Sequence, residues 1–434
     1  MTSRTRSDRL RRALAMVSLI LAGEAVFVPI YHLNRYFKSS FEAAFGITTS
    51  QIGTLFVWFG LVSMACYLLG GPLADRFSPR KLLTGSLLAT AAGGLYMATL
   101  PSFVALQWLF AFWGASAILL FWAPLMRATR EWGGEAAQGR AFGLLDGGRG
   151  LISALIASAA ALLYAGAVGD EESPDTQANA IRLLMGFYSA CCVVAAASVW
   201  AFLPTSPAPG KQEDHEQESA MPRHASSFDR FLAVARLPAV WLQAIIILTA
   251  YVAFRGFDNY GDYAEVAYGL DAAQSAKLAA GLSYLRAFAA LGAGWVADRL
   301  LGVANTIALG FLTLIACFTL LLFTPTDESY YYLAVGNMAV SAVAFFGLRG
   351  IYFAMFEESG VPRALTGMAV GVVSFIGYTP DLFFPKVYGW LVTSAKDAGN
   401  EMLGYQRLFL LLAIVSAIGL VASQALRWLG RKSA

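Results

Sequence analysis

Two arginines lie inside apolar stretches of the sequence, each with a tyrosine four residues before it. They are Arg35 after Tyr31 and Arg255 after Tyr251. Residues four apart lie on one face of a helix, so each pair would present a guanidinium beside a phenol. Because a guanidinium binds phosphate or carboxylate through two parallel hydrogen bonds, the spacing predicts two groups that hold a small anionic solute. For Arg35 the alternative is a side chain that extends to the outer lipid headgroups.

Further ionisable residues interrupt the same kind of apolar stretch. Glu24 lies on the helical face of Tyr31 and Arg35, and Asp146 lies three residues before Arg149. An ionised side chain at the bilayer centre costs at least ~2.5–3.5 kcal/mol, so such groups face water or a partner. We therefore predict that Glu24, Asp146 and Arg149 contact the solute or protons. A structural pair between Asp146 and Arg149 is the alternative.

The remaining charges are of second rank. Arg127, Arg130 and Glu131 are expected to form a solvated cluster at the end of a helix. His32 could carry a proton, although a lone interfacial histidine is more often an ordinary hydrogen-bonding residue. Second-rank candidates for a cavity or gate are Arg286 and Arg349, and Asp381 and Lys386 in a stretch that contains Pro380 and Pro385.

Long apolar helices must position these residues. The chain has 434 residues, of which 58% are hydrophobic and 14% charged, whereas a soluble domain carries about 25% charged residues. A helix needs roughly 20 apolar residues to cross the hydrocarbon core. We predict an all-α, polytopic membrane protein with twelve transmembrane helices. Their predicted ranges are 12–37, 51–73, 81–100, 103–126, 140–168, 180–203, 237–258, 274–297, 303–323, 330–355, 364–392 and 403–428.

Other classes of protein find no support in the sequence. It shows no nucleophile–base pair, no phosphate loop and no dense basic face, so neither an enzyme nor a nucleic-acid partner is expected. The four cysteines lie in apolar stretches without metal-site spacing. We expect no cofactor and no bound metal.

Basic residues lie in alternate loops and at both termini. Arg76, Arg80 and Lys81 occupy one such loop, whereas the loops around 170–172 and 327–328 are acidic. By the positive-inside rule, an even number of helices then has both termini in the cytoplasm. We expect a multi-pass protein of the cell inner membrane, in contact with the lipid bilayer and monomeric.

Landmarks in the first half of the chain recur in the second. The recurring positions are Asp75-Arg76 with Asp298-Arg299 and Arg140 with Arg363, both 223 positions apart, and Arg35 with Arg255, 220 apart. The repeat predicts an N-terminal six-helix bundle (1–203), a cytoplasmic linker (204–236) and a C-terminal six-helix bundle (237–434). Transporters built from such halves place the solute between them, near the middle of the membrane.

The motif Gly71-Pro72-Leu73-Ala74-Asp75-Arg76, continued to Arg80 and Lys81, resembles the signature between helices two and three of the major facilitator superfamily. The stretch Gly294 to Arg299 resembles its second copy. The resemblance implies that the aspartate pairs with the end of a neighbouring helix and stabilises one conformation. Residues assigned to conformational gating on this basis are Asp75, Arg76, Arg80, Arg140, Asp298 and Arg299.

A narrower resemblance concerns the solute. Four parts of the sequence are similar to the organophosphate:phosphate antiporter family, which includes glycerol-3-phosphate transporters. They are Tyr31 to Arg35, Asp75 to Arg80, Arg255, and Tyr378 to Asp381. That family implies that Arg35 and Arg255 grip a phosphate. The chain departs from it at two positions, with Tyr67 in place of a lysine and Gly147-Gly148 in place of a histidine.

Three hypotheses about function follow. The first is secondary active transport of a small organic anion such as a phosphate ester, by alternating access, in exchange for inorganic phosphate. The second is a proton-coupled symporter of a carboxylate or sugar acid, with Glu24 or Asp146 carrying the proton. The third is a membrane sensor that binds a ligand without moving it, which the missing soluble signalling domain disfavours.

Overall fold

The computed structural model describes most of the chain and shows only helices in that part. No strand occurs among the described residues, and the all-α prediction is confirmed. The described ranges are 6–47, 49–134, 137–168, 173–205, 227–270, 272–358, 361–362 and 365–433.

Twenty α-helices form the described part of the chain, with five short π- or 3-10 segments between them. In chain order the helices are α1 (Arg6–Ala25), α2 (Val28–Tyr36), α3 (Lys38–Phe45), α4 (Thr49–Arg76), α5 (Pro79–Met97), α6 (Phe103–Gly114), α7 (Trp122–Gly133), α8 (Gln138–Val168), α9 (Pro174–Phe202), α10 (Ser227–Ala235), α11 (Pro238–Gly256), α12 (Tyr260–Tyr268), α13 (Ala272–Ser283), α14 (Leu285–Val296), α15 (Val303–Phe323), α16 (Tyr331–Ile351), α17 (Met355–Glu358), α18 (Thr366–Gly377), α19 (Pro380–Asp397) and α20 (Glu401–Ser433).

The predicted transmembrane spans all fall on helices. Within the described ranges, nine helical stretches are long and apolar enough to cross a membrane, and the bent pair α1 and α2 makes a tenth. The other two predicted spans, 81–100 and 274–297, are helical as α5 and as the pair α13 and α14.

The first span is broken because of a proline. α1 and α2 meet at an angle of 54°, and Pro29 lies in the first turn of α2. A proline has no N–H, so it cannot donate to the carbonyl of Ala25 four residues earlier. The Cys192 thiol donates to that carbonyl instead, at 3.0 Å. Interrupted backbone at membrane depth is tolerated where other parts of the protein satisfy it in this way.

The described residues divide into two compact units. Unit 1 comprises 1–132, 148–234 and 362–372, as far as these ranges are described. In its core α1 and α5 pack against α9, and α4 packs against α6. Its largest buried side chains include Phe110, Trp113, Phe121 and Tyr188.

Unit 2 comprises 133–147, 235–361 and 373–434, with the same restriction. α11 and α15 pack against α20, and α14 packs against α16. Its largest buried side chains include Tyr260, Tyr263, Phe311, Phe318, Phe345 and Tyr405.

These units differ from the predicted bundles in two segments, and the bundle boundaries at 203 and 237 stay a prediction. The start of α8 packs closely on α14, and the start of α18 packs closely on α4, which explains the assignment of 133–147 and 362–372. Of the predicted linker 204–236, residues 206–226 lie outside the described part, and 227–235 form the helix α10. The predicted loop charges at 170–172 and Arg363 also lie outside it.

Two helix ends repeat the offset found in the sequence. α3 ends at Gly46 with φ 62°, and α12 ends at Gly269 with φ 67°. Glycine adopts this left-handed conformation without a steric cost, so both are helix caps of the same kind. They lie 223 positions apart, as do Asp75 and Asp298.

The α8–α14 crossing depends on glycine. A Cβ added at Gly294 would lie 2.5 Å from the carbonyl oxygen of Gly139, and one at Gly143 would lie 2.5 Å from that of Ala290. Small residues let two backbones approach in this way, which adds packing between membrane helices.

We expect Gly294→Ala to destabilise the protein by about 1–3 kcal/mol, because the new methyl group meets rigid backbone. Gly292→Ala is the matched control, since nothing lies within 4 Å of its Cβ position on the same helix. Alanine also favours a helix over glycine, so the control should melt no lower than the wild type. Thermal unfolding in detergent measures both; equal melting temperatures for the two variants would contradict the close crossing.

Candidate functional site

Unit 2 contains a group of four charged side chains and one tyrosine from three candidate spans, which we name the arginine–carboxylate cluster. Its members are Tyr251, Arg255, Asp258, Arg349 and Asp381. Arg255 and Asp381 lie near the centres of Pro238–Tyr268 and Thr366–Asp397. Arg255 Nε is 3.3 Å from Asp381 Oδ1. The Tyr251 hydroxyl donates to the same carboxylate, 3.0 and 2.9 Å from its two oxygens.

A second carboxylate binds Arg255 from its own segment. Arg255 Nη1 donates to Asp258 Oδ2 at 2.6 Å, three residues further along the chain. The Arg255 guanidinium thus contacts one carboxylate through Nε and another through Nη1. The contact with Asp258 is a charge-assisted hydrogen bond, which is stronger than one between neutral groups, whereas the contact of Nε with Asp381 is an ion pair.

Arg349 completes the cluster from α16. Its guanidinium carbon lies 4.0 Å from the ring centroid of Phe254 and 5.7 Å from that of Tyr251, so both rings stabilise its charge. Among the described residues, its buried Nε has no hydrogen-bond partner. Sequence reasoning placed Arg349 and Asp381 in the second rank; the signal for Asp381 was its position directly after Pro380.

The structure places the predicted partners Tyr31 and Arg35 differently from each other. Tyr31 packs among aromatic rings, with its centroid 5.4 Å from that of Phe56 and 5.6 Å from that of Phe59. Arg35 lies in the last turn of α2, and its side chain is exposed. Arg255 likewise lies in the last turn of α11. An anion-binding role for Arg35 and Tyr31 stays a prediction.

Glu24 and Arg149 meet in the interior of unit 1. Arg149 Nε lies 3.6 Å from Glu24 Oε2, and both side chains are about nine-tenths buried, at 11% and 9% exposed. Gly23 leaves room for the arginine, because a Cβ there would lie 3.0 Å from Arg149 Cδ. The Arg149 guanidinium also lies 5.7 Å from the ring centroid of Phe27. The two predicted site residues therefore form one buried ion pair beside the α1–α2 break.

Asp146 has its partner in unit 2. Arg286 donates to it twice, from Nη2 to Oδ1 at 2.8 Å and from Nε to Oδ2 at 3.3 Å. The bidentate geometry ties α14 to the first part of α8. Asp146 and Arg149, neighbours in sequence, thus each bind an oppositely charged residue from another helix.

Asp75 and its counterpart Asp298 each accept hydrogen bonds at the start of a helix. The Asp75 carboxylate accepts from the backbone N–H groups of Gly367 and Met368, at 2.8 and 3.0 Å, in the first turn of α18. Asp298 Oδ2 accepts from the N–H of Arg140 at 2.8 Å, in the first turn of α8. The first N–H groups of a helix have no partner within the helix and favour a negative charge.

Two of the other predicted gating arginines, Arg76 and Arg299, are exposed. Arg80 is half-buried, with its guanidinium 4.5 Å from the ring centroid of Trp200. It also lies 3.4 Å from the hydroxyl of Thr205. Their conformational role stays a prediction.

The expectation of a solvated cluster at the end of the fourth span is wrong for its arginines. Arg127 and Arg130 are 7% and 4% exposed. Arg127 donates to the carbonyl of Ala74 and pairs with Glu131 at 2.8 Å, and Arg130 donates to the Thr366 hydroxyl. Both arginines can be buried because they donate hydrogen bonds to acceptors on α4, α7 and α18. Of the three residues, only Glu131 has an exposed side chain.

His32 is buried rather than interfacial. It packs edge-on against Tyr36 and Tyr188, with ring centroids 5.1 and 5.5 Å away. Neither ring nitrogen has a hydrogen-bond partner in the described structure. The side chain of Lys386 lies outside the described part, and within that part no group of histidine, cysteine and acidic residues could hold a metal ion.

A comparison with protein families decides the class. The model described as Major Facilitator Superfamily matches residues 7–385. The chain belongs to the Major Facilitator Superfamily. Members of this superfamily are multi-pass membrane transporters, so the chain is a transporter rather than an enzyme.

Two similar proteins come from Escherichia coli strain K12. The inner membrane protein YihN is 23% identical over 95% of this chain and 95% of its own length. The inner membrane protein YqcE is 23% identical over 90% of each chain.

Solved structures of the Major Facilitator Superfamily share the fold. The transporter FucP in its outward conformation matches with a TM-score of 0.76 and 15% identity, over 96% of this chain and 98% of FucP. The human organic anion transporter MFSD10 matches with a TM-score of 0.68 and 16% identity, over 97% of this chain and 100% of MFSD10. At these identities the likeness establishes the fold and leaves the solute open.

The carboxylate of Asp75 gives a stability prediction. We expect Asp75→Ala to lower the free energy of unfolding by about 1–3 kcal/mol, because two buried N–H groups lose their acceptor. Asp75→Asn should lie between this variant and the wild type, since its carbonyl can still accept one bond. Lys81→Ala, which removes an exposed side chain nearby, serves as the control. Thermal unfolding in detergent is the measurement, and an alanine variant as stable as Lys81→Ala would argue against the cap.

Proposed function

We propose that this protein is a secondary active transporter of a small organic anion that works by alternating access. The arginine–carboxylate cluster carries the proposal. In it, Arg255 and Tyr251 already bind a carboxylate of the chain itself, that of Asp381. The same guanidinium and hydroxyl donors could equally well bind a carboxylate or phosphate group of a solute.

The position of the cluster supports this role. Arg255 and Asp381 lie near the centres of their spans, yet their side chains are 30% and 49% exposed. A half-exposed charge at this depth is costly against hydrocarbon, so we assign its exposed side to an aqueous path. Solute sites in transporters of repeated halves lie at this depth.

Arg35 is the second guanidinium in the proposal. It occupies the last turn of α2 as Arg255 occupies that of α11, and the two lie 220 positions apart. The exposure of Arg35 leaves its donors accessible to a solute. The resemblance to organophosphate:phosphate antiporters makes a phosphate ester, exchanged for inorganic phosphate, the first solute to test. MFSD10, a structural neighbour, is described as an organic anion transporter.

A second candidate function is proton-coupled symport of a carboxylate or sugar acid. It is favoured by the buried Glu24–Arg149 pair, since a buried carboxylate that gains a proton releases its arginine. Asp146, held by Arg286, is the other carrier in this version. The structural neighbour FucP is described as a fucose:proton symporter.

We place the transporter in the cell inner membrane as a monomer with both termini in the cytoplasm. The name "inner membrane protein" of the relatives YihN and YqcE supports the first part. The alternating basic loops of the sequence support the orientation.

Uptake into proteoliposomes separates the candidates. Radiolabelled glycerol 3-phosphate that enters only vesicles preloaded with inorganic phosphate supports exchange. Gluconate uptake driven by an inward proton gradient, and lost in Glu24→Gln or Asp146→Asn, supports symport. If the protein binds either compound without moving it, the transport proposal fails and a sensor remains.

Substitution of the two arginines tests the site. We expect Arg35→Lys and Arg255→Lys each to reduce uptake at least about tenfold, because an ammonium cannot make two parallel hydrogen bonds to one anion. Arg182→Lys is the matched control, since Arg182 is exposed on α9 and bonds Asn179. Near-normal uptake by both Arg35→Lys and Arg255→Lys would contradict the proposal that these two arginines bind the solute.

A further inference from the structure

The arginine–carboxylate cluster contains equal numbers of opposite charges. Arg255 and Arg349 supply two positive groups, and Asp258 and Asp381 supply two negative ones. With all four ionised the net charge is zero. A solute anion added to this set would leave uncompensated negative charge near the middle of the span, where such charge is costly.

We propose that Asp381 is a tethered counter-ion that occupies the anion position of Arg255, and that it takes up one proton when a solute anion binds there. The inference rests on the proposed anion transport and adds to it a proton that is taken up at the anion site itself, separate from the carriers Glu24 and Asp146 of the symport alternative. The proton comes from water to a carboxylate oxygen of Asp381 and returns to water when the anion leaves. That proton removes one unit of the excess negative charge, whether the bound anion carries one charge or two.

Asp381 uses the donors that a solute anion needs. Arg255 Nε and the Tyr251 hydroxyl both contact its carboxylate. Once Asp381 is neutral, the ion pair with Arg255 is lost, and the Tyr251 hydrogen bond is weaker because its acceptor no longer carries a charge. The guanidinium and the phenol can then turn to the solute. Asp381 thus competes with the solute anion for Arg255 and Tyr251.

Asp381 is a better carrier of the proton than Asp258. Asp258 is fixed to Arg255 at 2.6 Å within one turn of the same segment. Asp381 comes from another helix, α19, which starts at Pro380 after a break in the span. It can therefore leave Arg255 when α19 shifts, whereas Asp258 moves with the arginine.

Among the side chains that the structure describes, few other groups that titrate surround Asp381. On the α11 side it faces Tyr251, Arg255 and Asp258, and on the α16 side Arg349. Just before its own helix, the Tyr378 ring packs on that of Tyr251 at 5.0 Å, and its hydroxyl bonds that of Tyr352 at 3.0 Å. Neither arginine loses its proton in a protein, so the coupling falls to a carboxylate.

Sulfate binding to the purified full-length transporter tests the inference. Sulfate keeps its charge from about pH 5.5 to about pH 8, so any pH dependence comes from the protein. We expect the wild type to bind sulfate about tenfold more tightly for each pH unit lowered while Asp381 is ionised, since one proton is bound per anion. Calorimetry in buffers of different ionisation enthalpy should show uptake of one proton per sulfate.

Asp381→Asn should bind sulfate with the low-pH affinity of the wild type at every pH, and without proton uptake. Asp262→Asn is the matched control. Asp262 is also exposed and accepts a tyrosine hydroxyl, that of Tyr388 at 2.9 Å, but it lies outside the cluster. This variant should keep the pH dependence of the wild type.

The outcomes separate this inference from the function on which it rests. Sulfate binding to the wild type that is independent of pH and takes up no proton overturns the role of Asp381 but leaves anion transport intact. A pH dependence that persists in Asp381→Asn overturns the assignment to this residue. If sulfate binds neither the wild type nor Asp381→Asn at any pH, the cluster is not an anion site, and both proposals fall. The proton count needs only the wild type, so it decides whether anion binding takes up a proton even if a variant does not fold.

Discussion

An ionised side chain inside a bilayer is tolerated only with a partner or with water. This constraint orders the charged interior of the protein. Glu24 binds Arg149, and Asp146 binds Arg286, each across two helices of one unit. Arg255 binds two carboxylates on the exposed side of unit 2. The buried pairs hold helices together, whereas the side chains of the cluster are partly exposed, and this difference is why the cluster, and not the buried pairs, is proposed as the binding site.

Backbone groups obey the same constraint at the helix ends. The N–H groups in the first turns of α18 and α8 donate hydrogen bonds to the carboxylates of Asp75 and Asp298. These two aspartates belong to the two copies of one sequence motif. Close approach of the backbones makes this geometry reachable. A Cβ at Gly367 would lie 2.5 Å from Asp75 Oδ1, and one at Gly139 would lie 2.8 Å from Asp298 Oδ1. The motif therefore consists of a carboxylate together with the glycine that faces it from a distant part of the chain.

Much of the fold could be predicted from the sequence, because hydropathy and helix length depend on local composition alone. All twelve predicted spans coincide with helices, and the superfamily resemblance is confirmed by the family match. The comparisons identify the superfamily but do not distinguish its families, so the assignment to the organophosphate antiporters stays a prediction. The N-terminal boundary of unit 2 was harder to foresee, since it depends on the packing of the first turns of α8 on α14.

Side-chain partners were predicted less well, because they join residues far apart in sequence. Spacing offered a pair between Asp146 and Arg149 as an alternative to solute contact, but it gave no sign of the bond from Arg286 to Asp146, which spans 140 positions. Arg127 and Arg130 look solvated in a short charged stretch; the acceptors that bury them, Ala74 and Thr366, come from other helices. Asp381 was noticed for its proline neighbour, and its contact with Arg255 became visible only in the structure.

The break after α1 has a practical consequence for experiments with probes on engineered cysteines. Such work begins by removing the native thiols, and Cys192 is not a neutral position, because its S–H donates to the Ala25 carbonyl that Pro29 leaves unbonded. Serine keeps a donor of similar size at this point, whereas alanine leaves a buried acceptor without one. A cysteine-free background for spectroscopic labelling should therefore carry serine at position 192.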